Sequence, residues 1–332
     1  DYRNEDRGPK AIKIKIYDLI WGFIMKTNSK FLKNILNPLE QTVKDASQVI
    51  MDVYNKSSFN SKITSDGSPV TEADFKANEL ILDSLKKITP NIPIISEETY
   101  TKDTIVSDQP YWLVDPLDGT KEFINKSNDF TVNIALIEES IPIFGIIAAP
   151  VTGTIWYGSF FQRPKQYRLG AMFFFMGPFA FIPWFIQSKK NSPYSFQKEV
   201  VNGKLEYKDG PLRLVMSKSH KTETDQKFLE YLSKKNIAYE VIEKGSSLKL
   251  CCLADNEADI YPRFGPTSEW DIAAGHAYLV SKGGRVSQML SGEHLAYTKK
   301  DSILNPAFVA FRNTYLKDRY LPLISEFYKK LV

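Results

Sequence analysis

Between residues 38 and 56, apolar side chains recur at Val43, Ala46, Val49, Ile50 and Val53 with polar residues between them, and this period predicts an amphipathic helix. The spacing of Leu19, Ile20, Phe23 and Ile24 predicts a second amphipathic helix, placed in an N-terminal extension over 1–35. A polar loop over 57–69 leads to another helix, and from residue 92 the pattern changes. Short apolar runs near 92–96, 111–115, 130–138, 142–149 and 153–158 predict strands. A second half opens with a strand over 212–216. It continues with a helix over 222–234, a strand near 238–242, a helix over 246–254, a strand over 258–261, a helix over 271–281 and a terminal helix over 315–330. Strands and helices mixed in this order predict an α/β protein of layered sheets. The expected division is the extension (1–35), a first half (36–210) and a second half (211–332).

One stretch fits neither half. No charged residue lies between Arg168 and Lys189, and 171–186 holds six Phe and one Trp within a hydrophobic insertion over about 160–195. The length is enough for a bilayer crossing, but Gly177, Pro178 and Pro183 break a straight helix. The expectation is a hairpin or broken helix, buried on the body, dipping into a membrane surface or docking on another subunit.

A formal net charge of +4, from 43 basic and 39 acidic residues without a long basic block, gives no reason to expect a nucleic-acid partner. Cys251 and Cys252 are adjacent, a poor geometry for a disulfide, which points to a reducing, cytoplasmic setting. The three histidines are too far apart in sequence to suggest a zinc site, and neither a Walker-A sequence nor G-x-G-x-x-G occurs. Asp18 interrupts the first apolar stretch, which therefore does not read as a signal peptide, and Met25 is a candidate start.

Chemistry concentrates at Trp112-Leu113-Val114-Asp115-Pro116-Leu117-Asp118-Gly119-Thr120. An apolar strand delivers Asp115 at its end, Asp118 follows three residues on, and Gly119-Thr120 offers a tight turn with backbone N–H groups. Hard divalent cations take oxygen ligands and share them with substrate phosphates, and N–H groups at a helix start bind phosphate. A solvated turn is the alternative for this motif alone. Three other segments place acids at strand ends or helix starts: Ser96-Glu97-Glu98, Thr71-Glu72-Ala73-Asp74 and Glu269-Trp270-Asp271. In the second, Thr71 is placed as N-cap with Asp74 at N3. Each acid alone can be explained as a helix cap; their joint arrangement is harder to explain so.

These segments, with Gly245-Ser246-Ser247-Leu248-Lys249, Tyr261-Pro262-Arg263-Phe264-Gly265 and Trp270-Asp271-Ile272-Ala273-Ala274-Gly275-His276, resemble the inositol monophosphatase superfamily. Within it they are most similar to the CysQ-type bacterial 3′(2′),5′-bisphosphate nucleotidases. The resemblance runs from about 38 to 312, lapses over roughly 160–210, and implies the sugar-phosphatase fold, an αβαβα sandwich with metals between its halves. It implies Mg²⁺, two or three ions, held by Glu97, Asp115, the Leu117 carbonyl, Asp118 and Asp271, with lithium sensitivity. Glu97, Asp74 and Thr120 would hold and deprotonate the attacking water. Gly119, Thr120, His220, Ser246, Lys249, Arg263 and Asp271 would hold the substrate, Arg263 being suited to a second phosphate.

The implied reaction is removal of the 3′-phosphate of adenosine 3′,5′-bisphosphate, a by-product of sulfate assimilation. Rival readings are an inositol or fructose phosphate phosphatase and a membrane-tethered nucleotide-binding protein without turnover. A single membrane crossing at 171–186 would part Asp115 from Asp271, so any membrane contact there is expected to be peripheral, on the cytoplasmic face of the inner membrane.

Overall fold

The structure is a computed structural model that describes residues 9–58, 60–63, 69–101, 109–159, 162–168, 198–201, 204–207, 210–219, 221–297 and 302–332. The aromatic stretch 171–186 and His220 lie outside them.

Instead of two helices before the first strand there is one, α1 (Pro9–Tyr54), which passes through Pro38. The expected boundary at residue 35 falls inside it. A proline costs a helix one hydrogen bond, but here the apolar stripe continues across it: Leu32, Ile35, Leu39 and Val43 are all buried. Packing on the sheet carries the helix through. A short hairpin follows, β1 (Ser61–Ile63) with β2 (Pro69–Thr71), and then α2 (Glu72–Ile88).

Six strands form the first sheet, in the order β3 (Ile94–Ser96), β4 (Tyr111–Asp118), β5 (Thr131–Glu138), β6 (Ile141–Ala149), β7 (Thr154–Ser159) and β8 (Gln162–Arg168). Only β3 runs parallel to its neighbour. The short helix α3 (Thr120–Ile124) follows β4. A separate hairpin pairs β9 (Lys198–Val201) with β10 (Lys204–Tyr207). The second half comprises β11 (Leu212–Ser217), α4 (Glu223–Lys234), β12 (Tyr239–Lys244), α5 (Leu248–Ala254), β13 (Ile260–Arg263), α6 (Glu269–Ser281), β14 (Arg285–Gln288), β15 (Phe308–Phe311) and α7 (Thr314–Lys329). Its sheet is ordered β12-β11-β13-β15-β14.

Side-chain alternation along the strands assigns the layers. Trp112, Val114, Ile134 and Leu136 point to α1 and α2, whereas Tyr111, Leu113, Ala135 and Ile137 join α5, α6 and the inner face of the second sheet. The outer face of that sheet, with Leu214, Met216 and Val309, packs on Phe228 and Leu232 of α4 and Ile324 and Phe327 of α7. Helices, sheet, helices, sheet, helices is the expected αβαβα sandwich. Both faces of the first sheet are buried, which is why its strands read as unbroken apolar runs.

Candidate active site

β4 positions the first two acids by breaking its own ladder. Its register against β5 holds from Tyr111 to Asp115 and then shifts before Asp118. Pro116 has no N–H to give β5, and the Leu117 N–H turns back to Asp115 Oδ1 at 3.1 Å. Pairing resumes at Asp118, opposite Thr131, and the chain turns at Gly119, whose φ of +93° places it in the left-handed region that glycine enters without strain.

A single pocket gathers Glu97, Asp115, Leu117, Asp118, Gly119, Thr120, Ser246, Lys249, Arg263 and Asp271. Ten of the sequence-predicted site residues thus share one cavity of about 250 Å³. Asp74 does not line it. This residue lies one layer behind: its Oδ1 accepts the Thr120 hydroxyl at 3.1 Å, and its Oδ2 accepts the Thr71 N–H at 2.8 Å in the expected capping box. Asp271 occupies the equivalent N3 position of α6, where its Oδ2 accepts the Ser268 N–H at 2.8 Å. Both acids are therefore caps and also pocket groups or their direct support, so the two explanations are not exclusive.

The carboxyls destabilise one another as anions. Asp115, 1 % exposed, is pushed well above the ordinary carboxylate range by burial, and further by Glu97, Asp118 and Asp271. Glu97 is raised by the protein packed around it and by Asp271 and Glu98, and it shares a hydrogen bond with Asp115. Asp271 is pushed up to about 7 by burial and by Asp118. Asp118 is raised by burial, against the pull of Lys249 and the Ser246 hydroxyl. Among the described residues no group of three His, Cys, Asp or Glu side chains is drawn together closely enough to hold a metal ion as it stands. Even so, acids with all-oxygen donors, plus the Leu117 carbonyl, are the donor type a hard divalent cation takes, and such an ion would offset the cost of burying these charges beside one another.

The same pocket also carries two cationic side chains. Lys249 lies 5.7 Å from the Tyr261 ring centroid, and burial lowers its pKa while Asp118 raises it. Arg263 spends its Nη2 on the Pro266 carbonyl at 2.9 Å and leaves Nε buried without a partner. An unpaired buried donor costs about 1–3 kcal/mol, which a phosphate oxygen would relieve. Ser246 precedes α5 rather than starting it and sits in the left-handed region at φ +53°. Its hydroxyl donates to Asp118 Oδ2 at 2.6 Å, and it also bonds the Thr131 hydroxyl.

Several contributors were not singled out from the sequence. Ser247 donates to the Asp271 carbonyl at 2.8 Å, and Asn133 Nδ2 reaches Asp118 Oδ2 at 3.4 Å. Tyr261 and Thr267 also line the pocket. Asn133 did leave a signal, as a lone amide inside the apolar run of β5, and Ser247 lies within the Gly245–Lys249 segment that carries the resemblance.

Fold and pocket together define a layered α/β protein with one pocket that holds four acids and two basic side chains. The chain belongs to the inositol monophosphatase family, which it matches over residues 32–326. It is 35% identical over 302 residues to the 3′(2′),5′-bisphosphate nucleotidase CysQ of Buchnera aphidicola, covering 90% of this chain and 98% of that protein. With the enzyme of the same name from Salmonella typhimurium it shares 38% over 277 residues, 82% of this chain and 98% of that one. The crystal structure of CysQ from Bacteroides thetaiotaomicron superposes with a TM-score of 0.62 at 31% identity, covering 86% of this chain and 97% of that one. A Thermotoga maritima IMPase, TM-score 0.65 at 16% identity over 90% of this chain and 99% of its own, shares the fold.

Proposed function

We propose that the protein is a metal-dependent phosphomonoesterase that removes the 3′-phosphate of adenosine 3′,5′-bisphosphate, giving AMP and phosphate. The observation that carries this is one pocket that brings four acids, Glu97, Asp115, Asp118 and Asp271, together with two basic side chains, Lys249 and Arg263. A substrate with two phosphates uses both sets of groups; a sugar monophosphate needs only the first.

In this reading Glu97, Asp115, the Leu117 carbonyl, Asp118 and Asp271 hold Mg²⁺, in two or three positions. When bound, the ions supply the positive charge that offsets the phosphate and its departing oxygen. Gly119 and Thr120 face the scissile phosphate at the start of α3, where the first amides have no partner within the helix. Glu97 and Thr120 hold the attacking water. The Thr120 hydroxyl, already directed at Asp74, passes its proton to that buried carboxylate as it takes one from the water. The water oxygen bonds to phosphorus, the bond to the 3′-oxygen breaks, the departing 3′-oxygen takes a proton from solvent water to become a hydroxyl, and AMP leaves. Ser246, Lys249 and Arg263 hold the nucleotide, and His220 is assigned to the same task from sequence alone.

We also infer a cytoplasmic location from the sequence, with Cys251 and Cys252 as buried free thiols. No described helix is long and apolar enough to cross a membrane, and a peripheral contact through 171–186 is proposed from composition only.

Phosphate release from a panel of phosphomonoesters, with Mg²⁺ and with EDTA, tests the reading. Preferred turnover of the bisphosphate, abolished by EDTA, is expected. Faster turnover of inositol or fructose phosphates would move the assignment to a sugar phosphatase, and binding without release would mark a sensor.

A further inference from the structure

Glu122 belongs to α3, is 4 % exposed, lines the pocket, and meets two loops of the second half at once. One of its carboxylate oxygens accepts a hydrogen bond from the Ser219 hydroxyl in the turn after β11. Its Cγ also lies 3.1 Å from where a Cβ on Gly245 would stand, in the turn before α5. That same Cβ would be 2.6 Å from the Asp129 carbonyl oxygen, so only glycine lets this turn come down on the loop after α3. Asp129 adds two ties, accepting the Gly245 N–H at 3.2 Å and pairing with Lys218 at 3.7 Å, while Lys218 donates to Ser127 at 3.1 Å.

A carboxylate accepts hydrogen bonds but repels phosphate, so Glu122 is suited to hold protein donors rather than substrate. We propose that Glu122 is a positioning residue. Through Ser219 and Gly245 it seats both nucleotide-facing loops on segment 119–130, and so sets affinity for the nucleotide without touching the scissile phosphate. This rests on the nucleotidase reading above.

Steady-state kinetics on adenosine 3′,5′-bisphosphate and on a sugar monophosphate, with hydrogen–deuterium exchange, test it. Glu122→Ala should raise KM for the bisphosphate on the order of tenfold, the scale of one lost hydrogen bond to a charged group, with kcat within about twofold. Glu122→Gln, which keeps an acceptor oxygen, should recover most of the loss. Ser219→Ala, at an exposed position, should reproduce the alanine effect and add nothing to it in the double variant. Amides of 217–219 and 245–247 should exchange faster in Glu122→Ala, and those of β5 and β6 should not. Equal losses on both substrates, no recovery by glutamine, additive effects or unchanged exchange would overturn the proposal. If the wild-type protein does not hydrolyse the bisphosphate, the nucleotidase reading fails instead, and exchange still decides whether Glu122 holds the loops.

Discussion

Thr120 directs its hydroxyl at Asp74 Oδ1 across 3.1 Å, linking the turn after β4 to the first turn of α2. Asp74 is buried and does not reach the pocket, so its influence on chemistry passes through Thr120. Thr120→Val keeps the shape and removes the proton path. We expect kcat to fall by about 10²-fold or more, the scale of general base catalysis, with the melting temperature within a few degrees of wild type. A variant that retains more than about a tenth of kcat, a loss of only ~1.4 kcal/mol, would remove Thr120 from the proton path.

Asp115→Asn tests the metal assignment. Asp115 carries the most crowded carboxyl of the pocket, raised by burial and then by Glu97, Asp118 and Asp271. Neutralising it relieves repulsion in the metal-free protein, so stability in EDTA should hold or rise. The gain in melting temperature on adding Mg²⁺, which for wild type follows ligand concentration over Kd, should vanish together with turnover. A Mg²⁺-dependent shift equal to that of wild type would place the ions elsewhere.

Lys249→Ala and Arg263→Ala should weaken handling of the bisphosphate far more than of simple monoesters, because both line the pocket as cations outside the proposed metal ligands. Loss of a charge-assisted contact is worth roughly 1.5–3 kcal/mol, so kcat/KM for the bisphosphate should fall on the order of tenfold to a hundredfold. Equal losses on all substrates would make these residues supports of the fold or of the acids.

The pocket acids were legible because each lies towards the end of a strand or at the start of a helix, positions that local pattern marks; Asp271, like Asp74 behind the pocket, is an N3 cap. The layers were legible from the mix of elements. The course of α1 was not, since Pro38 looks like a helix start and only the packing of Leu32 and Leu39 shows that the helix continues. β14 and β15 were missed as well: at four residues each, they are defined by pairing with each other and with β13 rather than by a long pattern. Contacts between the halves, such as Ser219 with Glu122, join residues 97 positions apart, and no local period encodes them.

His276 gives the fold a pH limit that the pocket does not share. Its ring is buried in α6 and its Nδ1 bonds the Tyr297 hydroxyl at 2.9 Å. Burial, and then the charge of His294, lower its pKa from 6.5 to about 3. The unfolded chain takes up a proton below pH 6.5 that the folded core refuses, so the stabilising contribution is complete above that value and is lost as pH falls from 6.5 towards 3. The slope is at most ~1.4 kcal/mol per pH unit for one group. The pocket carboxyls, whose pKa values are raised, work in the opposite direction, so the informative quantity is a difference between proteins. His276→Gln, which can still bond Tyr297, should lose about 2 kcal/mol less than wild type between roughly pH 6.5 and 4.5. Urea unfolding at several pH values measures this, and parallel curves for the two proteins would show that His276 is not the group that titrates.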